Sequence, residues 1–261
     1  MTRRRFFVDQ VVADTGSFDL PPRLSRQLES VLRARAGESI ELLDGHGSAW
    51  ECVITGIRRG SVTVSVVGKL DRPACESPLP LTLGVGIARP DTMDLIVRQA
   101  TEMGVSRLAV FRAVRSQYGL SGKPAEKKKE RWSRIASEAV CQCGRKVPPE
   151  IILFEDLAHF LTSFDDDPAG YCLKIFALER EPCAGPKSLA ERTARPTICR
   201  IAAALGPEGG WDNSESSALI TAGFEPVSLG PRTLRMETAA LALISSIQLL
   251  WGDMGEGLSH G

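Results

Sequence analysis

Hydrophobic and polar positions between residues 39 and 67 alternate in short runs that turns interrupt. The apolar runs cover residues 40–43 and 49–55, and a third alternates at Val62, Val64 and Val66. Alternation with a period of two is typical of β-strands that bury one face. Short strands separated by turns, here at residues 44–47 and 56–60, predict a small barrel. Before them, residues 24–35 have helical spacing, and Gly37 ends the predicted helix.

From residue 81 the pattern changes, because apolar runs begin to alternate with longer helical stretches. The runs cover residues 81–87, 108–111, 151–153, 173–178 and 198–204. The clearest helical stretches between them are residues 92–102 and the basic residues 125–142. Strands that alternate with helices indicate a mostly parallel sheet covered on both faces. Residues 237–251 are apolar nearly all round, so we expect a buried helix that a second subunit partly covers.

Two glycine-proline loops near the carboxyl end each leave an apolar run and open onto a helix. The first is LGPEGG at residues 205–210, and the second is LGPRTLR at residues 229–235, after a strand-like stretch at 224–229. Open α/β sheets bind ligands at such positions, where strands end and helices begin. Because glycine lets the main chain approach a ligand closely, the loops suit a purine-bearing cofactor. Taken alone, GPEGG is equally compatible with an ordinary turn.

Composition argues against several classes of function. A chain of 261 residues with 43% hydrophobic and 25% charged residues is typical of one large or two modest globular domains. No apolar stretch reaches the roughly 18 residues of a membrane span, and the start MTRRRFFVDQ lacks the apolar region of a secretory signal. Seven scattered cysteines favour the reducing cytoplasm. With three histidines, we expect neither a metal site nor a serine-hydrolase triad.

Charge is unevenly distributed, although the formal net charge is zero. Residues 107–146 carry eleven Lys and Arg against three Glu, whereas residues 150–191 carry nine acidic residues against three basic ones. A single charged run is most often a solvated helix face, which is our interpretation of residues 127–129. A window as basic as 107–146 in a neutral protein nevertheless indicates a polyanionic partner.

Four stretches together are characteristic of one family. They are Arg4-Arg5-Phe6-Phe7, MDLIVRQATEMGV at residues 93–105, RWSRIASEAVCQCGRKVPPE at residues 131–150, and the loops LGPEGG and LGPRTLRMETAA. With them the sequence resembles, essentially from end to end, the RsmE family, the 16S ribosomal RNA (uracil-N3)-methyltransferases of the SPOUT superfamily. It departs from the family pattern at Gln99, where Lys is usual, and at Met103, where Leu is usual.

The resemblance implies an α/β fold, with a carboxyl-terminal SPOUT α/β domain that contains a deep trefoil knot and a preceding PUA-like β-barrel that helps to hold RNA. The implied boundaries are residues 1–72 for the barrel, 73–80 for a linker, 81–252 for the methyltransferase domain and 253–261 for a tail. The knot and the cofactor site fall at about residues 205–240. The resemblance also implies a homodimer that binds S-adenosylmethionine near the subunit interface and acts on the small ribosomal subunit.

In the family, S-adenosylmethionine is bent against three loops, which here are the end of the run 173–178 and the two glycine-proline loops. The implied cofactor-binding residues are Leu178, Leu205, Gly206, Pro207, Glu208, Gly209, Gly210, Leu229, Gly230, Arg232 and Leu234. We expect Glu208 to order its loop rather than to take part in the chemistry. Trp211 follows the loop, and we interpret it as a packed aromatic residue more readily than as a platform for a base.

Transfer to N3 of uracil requires the weakly acidic N3–H to lose its proton, which spreads negative charge over O2 and O4. A base can accept the proton, or a cation can stabilise the anion. Arg232 and Arg235 are the candidate cations, and the alternative is a structural ion pair or a phosphate contact. Glu237 is the candidate base or substrate acceptor. Its alternative is a first-turn Glu that only interacts with the helix dipole.

Six further residues are candidates for RNA contact, because arginine pairs with phosphate through two hydrogen bonds and polar groups can hold an extruded base. They are Arg3, Arg4, Arg5, Arg115, Gln142 and Arg145. Any one of them can equally be an ordinary surface residue.

Two other functions stay open. A related knotted enzyme could methylate ribose 2′-hydroxyls of RNA, and a protein with a decayed cofactor pocket could only bind RNA. The intact glycines at positions 206, 209, 210 and 230 argue against decay. A side chain at Gly209 is expected to fill the space that the ligand needs.

Overall fold

The computed structural model describes residues 4–9, 12, 15–71, 75–164, 170–179, 183–192 and 200–255. The chain divides into two compact units, residues 1–76 with 137–148 and residues 77–136 with 149–261. The first unit thus includes a segment, residues 137–148, that we assigned to the second domain. Packing explains the difference, since Val140 is fully buried in a cluster with Leu43 and Ala49 of the first unit.

A five-stranded sheet forms the first unit. Its strands are β1 (Arg4–Phe7), β2 (Ser17–Asp19), β3 (Ser39–Leu43), β4 (Ala49–Arg58) and β5 (Ser61–Lys69), in the order β1-β3-β4-β5-β2. β1 pairs with β3 in parallel, and the other pairs are antiparallel. Alternate residues of β4 and β5, such as Ile54, Val62 and Val64, are fully buried. The alternation in the sequence therefore builds this core.

Two predictions in this unit are wrong in detail. The helix predicted at residues 24–35 is shorter, because α1 (Pro22–Arg26) continues only as a π-helical turn, Gln27–Val31. Arg33 then has a φ of 48°, a left-handed conformation that a right-handed helix cannot include. The turn predicted at residues 56–60 is tighter. β4 continues past Gly56 with an irregular register, and the chain reverses at Gly60, whose φ is 78°.

Six parallel strands form the sheet of the second unit. They are β6 (Leu81–Gly86), β7 (Arg107–Phe111), β8 (Glu150–Phe154), β9 (Leu173–Ala177), β10 (Ile201–Leu205) and β11 (Glu225–Val227), in the order β11-β9-β10-β6-β7-β8. Every pairing is parallel, which confirms the predicted sheet. All residues of β6 and β10 are buried, as expected of central strands covered on both faces. Of the run predicted at 198–204, residues 198 and 199 lie outside the described residues.

Helices cover both faces of this sheet. They are α2 (Pro90–Glu102), α3 (Gly122–Cys143, to residue 136 in this unit), α4 (Leu157–Thr162), α5 (Pro186–Arg192), α6 (Asn213–Thr221) and α7 (Met236–Leu250). Ala203 of β10 belongs to a core with α2 and α7, whereas Ala202 and Ala204 belong to an aromatic core with α4 and α6. Because neighbouring strand residues point to opposite faces, the two cores lie on opposite sides of the sheet. Among the described helices, none combines the length and hydropathy that crossing a bilayer demands.

Candidate active site

A cleft of about 1340 Å³ opens at the carboxyl edge of the parallel sheet. Three segments supply most of its lining: residues 177–179 at the end of β9, residues 205–211 at the end of β10, and residues 228–237 after β11. Since β11, β9 and β10 are neighbours in the sheet, their carboxyl ends bring these segments together. This is the position at which open α/β sheets bind ligands.

Every residue predicted to bind the cofactor lines this cleft. The set is Leu178, Leu205, Gly206, Pro207, Glu208, Gly209, Gly210, Leu229, Gly230, Arg232 and Leu234. Arg235 and Glu237 line the same cleft. The fold thus brings the predicted cofactor residues and the predicted catalytic residues into one site.

The four loop glycines have different surroundings. A Cβ at Gly210 or Gly230 would meet no protein atom within 4 Å, and both residues have positive φ, 71° and 105°, which favours glycine. A Cβ at Gly206 would instead lie 3.1 Å from the Trp211 ring, and one at Gly209 would lie 3.1 Å from Cβ of Arg115. The reason that we gave for Gly209 is therefore corrected. Its missing side chain makes room for Arg115, and the open space lies at Gly210 and Gly230.

Glu208 connects the first loop to the start of α2. Its Oε1 accepts a hydrogen bond from Nε of Arg89 at 2.8 Å and another from the hydroxyl of Thr92 at 3.2 Å. The hydrogen bond from Arg89 to Glu208 raises the pKa of the guanidinium. These contacts agree with the expectation that Glu208 orders its loop. Arg89 itself lines the cleft and was missed from the sequence, although it follows β6, the neighbour of β10.

We expect Arg89→Ala to weaken binding of S-adenosylmethionine by no more than about fivefold, because an exposed ion pair contributes little. Isothermal titration calorimetry measures the change. Arg98→Ala, which removes an exposed arginine from α2, the helix that Arg89 precedes, is the matched control and should bind normally. A loss far above fivefold in the Arg89 variant would mean that Arg89 contacts the ligand itself.

The candidate catalytic residues lie around the start of α7. Arg235 is the residue before the helix, but its side chain makes no capping hydrogen bond. Glu237 is half-buried in the first turn, and Arg232 is exposed in the preceding loop. Among the described residues, none of the three has a hydrogen-bonded or ion-paired partner at its side chain. Their charged groups are therefore available to a ligand in the cleft.

Trp211 is a packed aromatic residue, as we interpreted it. Its side chain is 8% exposed, and its ring stacks on Phe111 with 6.0 Å between centroids. Its Nε1–H donates to the carbonyl oxygen of Ala177 at 2.8 Å. The residue thus joins the end of β9 to the loop after β10, and it forms part of the cleft wall.

The candidates for RNA contact are divided between the units. Arg4 is exposed and donates to the carbonyl oxygen of Leu32 at 3.3 Å, Arg5 pairs with Glu41 at 3.4 Å, and Gln142 is exposed. These three belong to the first unit, and Arg115 lies at the cleft of the second. Arg3 lies outside the described residues.

Arg145 requires a correction. Its side chain is 5% exposed, and its Nε donates to Glu76 at 2.7 Å. A guanidinium that is buried in an ion pair links two segments of the first unit and does not present its charge to a phosphate at the surface. We therefore remove Arg145 from the candidates for RNA contact.

Comparison with protein families gives two matches. Residues 75–248 match the model of an RNA methyltransferase domain, and residues 30–67 match that of an RNA methyltransferase PUA domain. The first match contains the entire cleft, and the second contains β3, β4 and most of β5.

Individual relatives agree with these matches. Ribosomal RNA small subunit methyltransferase E of Synechocystis is 31% identical over 85% of this chain and 70% of its own length. The Bacillus subtilis protein of the same name is 28% identical over 96% of this chain and 99% of its own length. The structure of the Neisseria gonorrhoeae methyltransferase E bound to S-adenosylmethionine has a TM-score of 0.82 and 30% identity, covering 97% of this chain and 100% of that one.

The fold, the cleft and the family matches together show that this protein is an RNA methyltransferase domain preceded by a PUA domain. Within this class, the chain belongs to the ribosomal RNA small subunit methyltransferase E family. The predicted fold class is confirmed as an α/β methyltransferase domain after a PUA-like domain, and its placement in the SPOUT superfamily stays a prediction. The trefoil knot stays a prediction.

Proposed function

We propose that this protein transfers a methyl group from S-adenosylmethionine to N3 of a uridine in 16S ribosomal RNA, as a homodimer in the cytoplasm. The observation that carries the proposal is the gathering of eleven predicted cofactor residues around one cleft at the carboxyl edge of the sheet. The substrate class comes from the relatives, which are methyltransferases of small subunit ribosomal RNA by name.

The residues of the cleft suit this cofactor. The Neisseria relative has S-adenosylmethionine bound, and here Gly210 and Gly230 leave open space beside the main chain of two loops. Charged residues of both signs line the cleft, three Glu and four Arg, and S-adenosylmethionine itself carries both a positive sulfonium and a negative carboxylate. When bound, the cofactor supplies an activated methyl group. The protein then has to orient the uracil base and to remove the proton from its N3.

Glu237 would accept the proton, and Arg235 and Arg232 would stabilise the negative charge on the base. The carboxylate of Glu237 accepts the proton from N3 of the uracil. Arg235 and Arg232 place cationic groups near O2 and O4, where negative charge develops. This assignment is supported by the availability of all three side chains beside the cleft.

RNA would be held outside the cleft as well. Arg4, Arg5 and Gln142 of the first unit are the candidates there, in the unit that contains the PUA match. Arg115 is the candidate at the cleft. The homodimer is supported by α7, because Leu249, an apolar side chain of this largely apolar helix, is 54% exposed in the single chain.

The test is incubation with labelled S-adenosylmethionine and small ribosomal subunits that lack the modification, followed by nucleoside analysis. We expect label in 3-methyluridine. Label in a 2′-O-methylated nucleoside would instead support the ribose-methylating alternative. Cofactor binding without any transfer to naked or assembled ribosomal RNA would contradict the proposal.

A further inference from the structure

A buried carboxylate outside the proposed reaction centre joins two loops of the second unit. Glu215 lies in the first turn of α6 and is 6% exposed. Its Oε2 accepts from the backbone N–H of Asp212 at 3.0 Å, which is the usual capping arrangement at the start of a helix. Its Oε1 accepts from the backbone N–H of Val114 at 2.8 Å. Helix capping requires the contact with Asp212 but not the contact with Val114, which lies in a loop 101 residues earlier in the chain.

The segment that Glu215 holds is a closed turn after β7. Within it, the N–H of Ala113 donates to the hydroxyl of Ser116 at 3.1 Å, and the N–H of Ser116 donates back to the carbonyl oxygen of Ala113 at 3.0 Å. Ala113 is 2% exposed. The turn therefore has internal hydrogen bonds, one buried anchor and an external attachment at Val114, so its tip has a defined position.

Arg115 is at that tip. Its Cβ and carbonyl oxygen pack where Gly209 leaves room, at 3.1 and 3.3 Å from the place of a missing Cβ. Its guanidinium lies 3.4 Å from the carbonyl oxygen of Gly209 and 3.4 Å from a carboxylate oxygen of Asp212. Charge-assisted hydrogen bonds are normally about 2.7–2.9 Å long, so both contacts are weak. The side chain is 47% exposed and lines the cleft, and it can exchange these contacts for a phosphate.

We propose that Glu215 is a positioning residue for the RNA substrate, because it holds the turn 113–116 against the loop after β10 and so fixes Arg115 at the edge of the cleft. There Arg115 contacts the phosphate backbone next to the target uridine. The inference rests on the proposed function, and it adds a residue that acts through another and touches neither cofactor nor base. Gly209 has a part in the same arrangement, because it lets the turn approach the cofactor loop.

A double-mutant cycle tests the proposal. In Glu215→Gln, the amide has one acceptor oxygen and can satisfy only one of the two backbone N–H groups. We expect Glu215→Gln and Arg115→Ala each to raise KM for ribosomal RNA by roughly tenfold, the value of one charge-assisted hydrogen bond. The Kd for S-adenosylmethionine should stay within about twofold, and the double variant should be no worse than Arg115→Ala, since coupled residues are not additive.

Several outcomes would overturn the inference. KM effects that multiply in the double variant would mean that Glu215 acts independently of Arg115. Equal loss of cofactor and RNA binding in Glu215→Gln would mean that the residue only stabilises α6. If thermal denaturation shows that Glu215→Gln is unfolded, Ser116→Ala loosens the same turn from the other side, and an unchanged KM in that variant would contradict the proposal.

A failure of the proposed methyltransferase function can be distinguished from a failure of the inference about Glu215. If the wild-type protein methylates no ribosomal RNA, the same cycle is measured as the Kd for small subunit RNA by filter binding without cofactor. Non-additive losses of RNA affinity would then still support Glu215 as a positioning residue, and additive or absent losses would refute it.

Discussion

Replacing Gly86 with alanine should weaken binding of S-adenosylmethionine by about ten- to a hundredfold, because overpacking costs about 1–3 kcal/mol and 1.4 kcal/mol is a tenfold change in affinity. Gly86 ends β6 and stands beside the first cofactor loop, since β6 and β10 pair with Val85 opposite Leu205. A Cβ at Gly86 would lie 2.8 Å from the backbone nitrogen of Pro207, 2.9 Å from its Cδ and 3.2 Å from the carbonyl carbon of Gly206. These atoms belong to the main chain and a proline ring, so the loop has to move as a whole.

Calorimetry with the purified variant measures this loss, and thermal denaturation separates it from unfolding. Gly119→Ala is the matched control in the same unit, because a Cβ there meets no atom within 4 Å. The control should bind the cofactor normally. Normal affinity in Gly86→Ala would mean that the loop after β10 can shift without consequence, and the shape of the cleft would then not depend on this close approach.

The sequence predicts the strands and the loops of the site, but it does not predict which segments come to lie beside them. The two glycine-proline loops were found because each follows a recognisable apolar run, whereas Leu178 was implied by the family resemblance. Gly86 and Arg89 were missed because their role depends on β6 being paired with β10, more than a hundred residues later. The contact of Arg115 with Gly209 is of the same kind, as is the link from Glu215 to Val114. Pairings between distant segments are a property of the fold and have no local pattern.

Residues 107–146, the basic window of the sequence, present less free positive charge in the structure than their composition suggests. Four of its six arginines pair with acidic residues that lie outside the window. The pairs are Arg107 with Glu150, Arg131 with Asp94, Arg115 with Asp212 and Arg145 with Glu76. Counting charges along the chain therefore overestimates the field available to RNA, because partners distant in sequence neutralise part of it. Lys127 and Lys129 on α3 remain exposed, which fits a weak, nonspecific attraction.

Glu237→Gln should lower kcat for methyl transfer by about a hundredfold or more, the usual contribution of a general base, while leaving the Kd for S-adenosylmethionine nearly unchanged. Gln keeps the size of the side chain and one acceptor oxygen but cannot take up the proton from N3. Steady-state kinetics with small ribosomal subunits gives kcat, and calorimetry gives the Kd. Glu126→Gln, on the exposed face of α3, is the matched control and should retain full activity.

The same variant separates catalysis from a purely structural effect of Glu237. A carboxylate that only interacts with the dipole of α7 contributes about 0.3–1 kcal/mol to stability, so its loss would lower the melting temperature slightly and leave kcat intact. That result would refute the assignment of the base.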